Sequence, residues 1–169
     1  MKKRLMAVLC VLAAGILFAG QPARFMSDPD IHGNSIVFVY EGDLWSVSTS
    51  GGEAVRLTSF PGTETNPRFS PDGRWIAFSA TYDGQEAVYK MPATGGEPVR
   101  LTWNGGGATA VAWTPDGERV VFTSFMKTFI YRDPSLFSVK ADGSAPEQLP
   151  VDRGVLANFN KDGREMLYC

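Results

Sequence analysis

The chain has 169 residues, 44% hydrophobic and 12% aromatic, with 16 basic and 18 acidic side chains and one histidine. This is the make-up of a folded chain long enough for one domain with its own core, and it excludes an intrinsically disordered one. No cluster of Lys or Arg follows Arg4, which excludes the basic stripe that a nucleic-acid surface needs.

Lys2, Lys3 and Arg4 precede an apolar run from Leu5 to Ala19, with the small residues Ala19, Gly20 and Ala23 after it. Positive start, apolar centre and small exit predict a helical secretory signal peptide over residues 1–23. The run falls short of the roughly 18–20 apolar residues of a membrane-spanning helix, which disfavours an uncleaved anchor. The expected location is therefore periplasmic or extracellular. Without Lys2, Lys3 and Arg4 the chain keeps 13 basic against 18 acidic residues, a mildly acidic solvated surface. Cys10 leaves with the signal and Cys169 is then alone, so no internal disulfide is expected.

The stretch "DPDIHG" (28–33) stands just before the first predicted strand and holds His32, the single histidine. A Ser–His nucleophile would have to use it, yet no "GxSxG" elbow accompanies it. A zinc site would lack ligands, and the Asp spacing and terminal Glu of a calcium loop are missing. A structural role at the entry to the first strand is expected, with no metal or cofactor.

From there the chain repeats itself. "EGDLWSVSTSGGEAVRLTSFPG" (41–62) returns as "GQEAVYKMPATGGEPVRLTWNGG" (84–106), and "DPSLFSVKADGSAPEQLP" (133–150) is a third copy. Trp45 and Tyr89 are 44 residues apart, as are Gly52 and Gly96, Phe69 and Trp113, and Gly73 and Gly117. Within each period "RWIAFSA", "ERVVFTS", "LWSV", "AVYKM" and "LFSV" alternate like strands, and no 3.6-residue period follows Ala23. Four short strands per period of this length predict β-propeller blades. The fold class is all-β, a partial propeller of about three to three and a half blades: a partial one (34–58), two whole ones (about 66–102 and 109–149) and the start of another (155–169).

The repeated "SPDG" (70–73), "TPDG" (114–117) and "NKDG" (160–163) are read as turns. Pro71 fixes φ, Asp72 suits the next position, and Gly73 takes the left-handed conformation of a bulged hairpin. A catalytic or metal-binding Asp is not needed to explain them. "NGGGA" (104–108) lacks the Lys of a phosphate loop and the spacing of a dinucleotide fingerprint, and reads as a loop.

The insertion "FMKTFIYRDP" (125–134) breaks the period. It is either a longer hairpin whose apolar side chains cover a neighbour or a peptide-contacting loop, with Lys127 and Arg132 facing carboxylates. Catalytic residues are not found. Closed propellers have at least about four blades, and each open blade face of ~400 Å² forgoes roughly 10 kcal/mol of burial at about 25 cal/mol per Å². Residues 28–169 are therefore expected to be an incomplete propeller from the N-terminal part of a longer protein.

"PDIHGNSIVFVYEGDLWSVSTSGGEAVRLTS", then "NPRFSPDGRWIAFSATYDG" and "MPATGGEPVRLTWNGG", resemble the N-terminal region of tricorn-type proteases over about residues 28–168. The resemblance implies a six-bladed propeller followed by a seven-bladed one, a PDZ domain and a serine peptidase domain. It also implies oligomers that degrade short peptides, with propellers as gates or channels. The catalytic Ser and its partners would lie beyond residue 169. The family's arginine pair for peptide carboxylates precedes the second "PDG" turn, where Trp103 to Trp113 holds no basic residue, so nothing is carried over there. The signal is a second departure, since cytosolic members lack one. The expected function is the gating or docking of peptides by an exported tricorn-like serine peptidase. The expected partners are peptides or protein segments, the rest of the parent chain and further copies of the full-length protein, with no nucleic acid. The alternative is a non-enzymatic periplasmic propeller of TolB type that binds proteins, although such chains carry an α/β domain before the propeller. A third possibility is the propeller of an exported prolyl-oligopeptidase-like enzyme.

Overall fold

The computed structural model of the chain describes residues 25–126, 133–151, 153–160 and 162–169. The predicted signal segment 1–23 lies outside the described residues. Every regular element among the described residues is a β-strand.

The strands fall into antiparallel sheets taken in chain order. β1 (Ser27–His32), β2 (Ser35–Tyr40), β3 (Asp43–Ser48) and β4 (Val55–Arg56) form the first. β5 (Glu64–Phe69), β6 (Trp75–Ala80), β7 (Ala87–Pro92) and β8 (Val99–Arg100) form the second. β9 (Thr109–Trp113), β10 (Arg119–Ser124), β11 (Ser135–Lys140) and β12 (Glu147–Gln148) form the third, and β13 (Ala157–Phe159) pairs with β14 (Met166–Tyr168). These are the blades of a partial β-propeller, with the first strands β1, β5, β9 and β13 side by side along the inner wall.

The first blade is complete, which corrects the expectation of a partial one starting at residue 34. Its inner strand β1 reads SDPDIH, where two Asp and a Pro hide the alternation that marks other strands. Pro29 is tolerated because β1 departs from regular register between Ser27 and Asp30.

Alternation decides which blade each residue touches. On β6, Ile76, Phe78 and Ala80 join Val37, Val39 and Leu44 of the first blade, whereas Ala77 packs with Val120, Phe122 and Val139 of the third. The pairs Phe78–Tyr89 and Phe122–Phe137 stack at centroid distances of 6.0 and 5.7 Å. Burying one such Phe contributes about 2–3 kcal/mol, so a blade separated from its neighbours forfeits much of its stability. A third cluster, Val111, Val121, Leu136 and Ala157, joins the third blade to β13.

Polar bonds hold each blade together and fix how the first two meet. Thr58 Oγ1 and Thr102 Oγ1, 44 residues apart, accept the backbone N–H of Leu44 and Val88 at 2.8 and 2.9 Å. Fully buried Glu64 closes the joint between the first two blades. Its carboxylate accepts Leu44 N–H (2.9 Å), the Tyr82 hydroxyl (2.5 Å) and the Thr58 hydroxyl. Burial pushes the Glu64 carboxyl up, against the pull of these donors.

Candidate functional site

The inner wall forms a groove of about 730 Å³, bounded by β1, β5, β9 and the β13–β14 hairpin. Its shape comes from bulges. β1, β5 and β9 each slip register by one residue, which bends the strand and re-aims its side chains. Asp28 and Asn66 sit in two of these bulges with φ of 49° and 52°, each directly before a proline. Asx residues tolerate the left-handed region better than other non-glycine types, and their short side chains suit this bend.

Behind the bulges, Asp30, Arg68, Ala112 and Asn158 take the same place in successive blades, opposite Val37, Ala77, Val121 and Leu167. All four line the groove. Asp30 Oδ2 accepts the backbone N–H of Phe69 at 2.7 Å, tying β1 to β5. Arg68 ties β5 to β9: its Nε donates to Val111 O at 3.0 Å and its Nη1 to Pro67 O at 2.8 Å. Trp113 Nε1 returns a bond to Arg68 O at 2.9 Å. Two carbonyls thus orient the Arg68 guanidinium, and none of the ion pairs among the described residues includes it. The apolar surface around it comes from exposed Ile31, Leu156, Leu167 and Tyr168. Such a wall can hold an extended chain by its apolar side chains and a single anion by Arg68.

The turn residues sit at one end of this wall. Asp72 Oδ1 accepts the Ser70 hydroxyl (2.6 Å) and Arg74 N–H (3.0 Å), and Asp116 Oδ1 accepts the Thr114 hydroxyl (2.6 Å) and Glu118 N–H (2.9 Å). These bonds hold both carboxyls below the usual range. The carboxylates close their own turns, as expected of them. Gly73 and Gly117 have φ of 69° and 72°, the left-handed conformation expected of these turns. His32 Nε2 donates to Pro71 O at 3.1 Å, the structural role expected for it. No group of three or more metal-ligating side chains occurs among the described residues.

Lys127 and Arg132, the peptide-contact candidates of the insertion, lie outside the described residues. Arg68, Asp30 and Asn158 were not singled out by sequence. A search for basic residues before the second "PDG" turn passes over Arg68, which stands before the first. Its position one residue ahead of the aromatic Phe69 is the signal that could have found it.

Residues 23–169 match the family model for the tricorn protease N-terminal beta propeller domain. Tricorn protease homolog 1 of Streptomyces coelicolor is 35% identical over 74 residues, 43% of this chain and 7% of its own length. Tricorn protease of Thermoplasma acidophilum is 43% identical over 54 residues, 32% of this chain and 5% of its own. The chain thus spans under a tenth of these relatives. The crystal structure of the tricorn protease superposes with a TM-score of 0.71 at 27% identity, over 82% of this chain and 14% of that one. A putative TolB from Agrobacterium tumefaciens gives 0.73 at 23% identity, over 85% and 53%, a likeness of fold alone. By a match that spans all its described blades, the chain belongs to the tricorn protease N-terminal β-propeller domain family.

Proposed function

We propose that this chain is the first-propeller portion of an exported tricorn-like serine peptidase, and that its inner wall gates or docks peptides on their way to a catalytic domain elsewhere in the parent protein. The observation that carries the reading is the groove of about 730 Å³, lined by four inner strands and holding a guanidinium without a counter-ion among the described residues. An extended peptide offers apolar side chains to Ile31 and Leu156 and a carboxylate to Arg68. Membership of the tricorn N-terminal propeller family supports a peptidase as the parent. Under this reading the signal segment directs export, and the full-length protein assembles with copies of itself.

The test has two arms. A fluorescein-labelled hexapeptide titrated into the chain should bind saturably, and Arg68→Ala should weaken it about tenfold. In parallel, the natural protein captured from its own cells with an antibody to this propeller should be a much longer exported chain that a fluorophosphonate labels. An unlabelled chain without peptidase activity would favour the TolB-type reading, which the TolB likeness supports by fold.

A further inference from the structure

A second groove, of about 390 Å³, opens between the turn of the second blade and that of the third. Its walls are ring-shaped: Pro71 and Pro115 from the two turns, with Trp75 and Trp113 from the strands beside them. Lys90 of β7 reaches in from one side. Its ammonium lies 4.5 Å from the centroid of the Trp75 ring, a distance at which the ring's negative face holds the cation in place.

The ion pairs among the described residues involve Arg56, Arg74, Arg100, Arg119 and Arg153, and none involves Lys90. The two carboxylates of the groove are bound within their own turns, Asp116 through one oxygen alone. Asp72 is taken up by Ser70 and, through both backbone and guanidinium, by Arg74. Asp116 gives Oδ1 to Thr114 and Glu118. The groove thus joins two proline rings to a half-buried lysine whose ammonium rests on an indole and enters none of the ion pairs among the described residues.

We propose that this inter-turn groove is a docking site for an extended peptide segment bearing one carboxylate, which pairs with Lys90 while flanking apolar side chains lie on Trp75, Pro71 and Pro115. A peptide is favoured because flat aromatic and proline walls suit an extended backbone with apolar side chains. A single carboxylate is favoured over phosphate. Among the described residues of the groove the uncommitted cation is a lone ammonium, Arg74 is already paired, and Asp116 at the rim repels a second negative charge. The groove adjoins the inner wall, with which it shares Ser70, Pro71 and Trp113, but its cation is its own, so the proposal does not depend on that wall carrying peptides.

The experiment uses the full chain with acetyl-Phe-Glu-Pro-amide and its Gln counterpart, followed by tryptophan fluorescence and calorimetry. The Glu peptide should bind at least tenfold more tightly than the Gln peptide. In an Arg68→Ala background, which removes the cation of the inner wall, the preference should persist; there Lys90→Met should abolish it with an unchanged melting temperature, and Lys90→Arg should keep it. Equal affinity for the two peptides, no saturable binding, or tighter binding of a phosphoserine analogue would overturn the proposal. So would loss of the preference in Arg68→Ala, since that would place the peptide in the inner groove.

Discussion

The imidazole of His32 occupies the space in which residue 73 would carry a side chain: a Cβ on Gly73 would lie 2.2 Å from His32 Nδ1. The same relation recurs along the chain. Gly117 faces Pro71 at 3.6 Å, and Gly163 faces Pro115 at 2.8 Å. Each turn glycine therefore rests on a ring from the blade before it, and His32 fills in the first blade the place that proline fills later.

Gly73→Ala is expected to destabilise the fold by about 2–4 kcal/mol, from the left-handed backbone and from overlap with a ring anchored to Pro71 O. Gly117→Ala meets only the backbone cost, about 1–2 kcal/mol, because its nearest neighbour leaves room. Adding His32→Ala to Gly73→Ala should recover part of the loss. Urea unfolding of these three variants and of His32→Ala alone measures the coupling, and equal costs at the two glycines would refute the stacking argument.

Glu64→Ala should cost about 3 kcal/mol, since it leaves the half-buried Tyr82 hydroxyl without its acceptor and opens a cavity between the first two blades. Ala108 takes the corresponding place 44 residues on, without a carboxylate. Ala108→Gly should accordingly cost much less in the same unfolding assay.

The blade pattern was legible because alternation in β6, β7, β10 and β11 is imposed by burial on both faces. Turns were legible because Pro, Asp and Gly each have one job in "SPDG". β1 was not, since an inner strand facing a groove needs no apolar alternation and here carries Asp28, Pro29 and Asp30. Arg68 escaped for a related reason. Its partners are the carbonyls of Val111 and Pro67, and backbone acceptors leave no trace in side-chain spacing. Glu64 was hidden because the repeat keeps Thr58 as Thr102 but not the acid.

Stability should fall on acidification. The carboxyls of Asp72, Asp116 and Asp142 lie below the ordinary Asp value of 3.8, through hydroxyl and backbone donors. Their contribution is present above that value and is lost as pH drops through the lowered ones. Glu64 acts oppositely: its raised carboxyl favours the fold most in acid, and that share is lost as pH climbs above 4.5. Asp72→Asn with Asp116→Asn should flatten the acid limb of a melting-temperature profile, whereas Glu64→Gln should steepen it. An unchanged limb in the double variant would count against the turn carboxylates.

Arg68→Lys keeps the charge but loses the planar fork that Val111 O and Pro67 O orient. Peptide binding to the inner wall should weaken severalfold with little change in melting temperature. Trp113→Phe removes the indole bond to Arg68 O and should cost about 1 kcal/mol of stability. Calorimetry and thermal unfolding of both variants separate the two effects.

The ring beneath each turn glycine always comes from earlier in the chain, His32 for Gly73, Pro71 for Gly117 and Pro115 for Gly163. That gives the fold a direction. During synthesis the N-terminal blade emerges first and offers a finished platform, and each later hairpin can settle on residues that have already left the ribosome. Seating a hairpin then needs no partner still to be translated, and the face that the newest blade leaves uncovered is the one that the next blade covers.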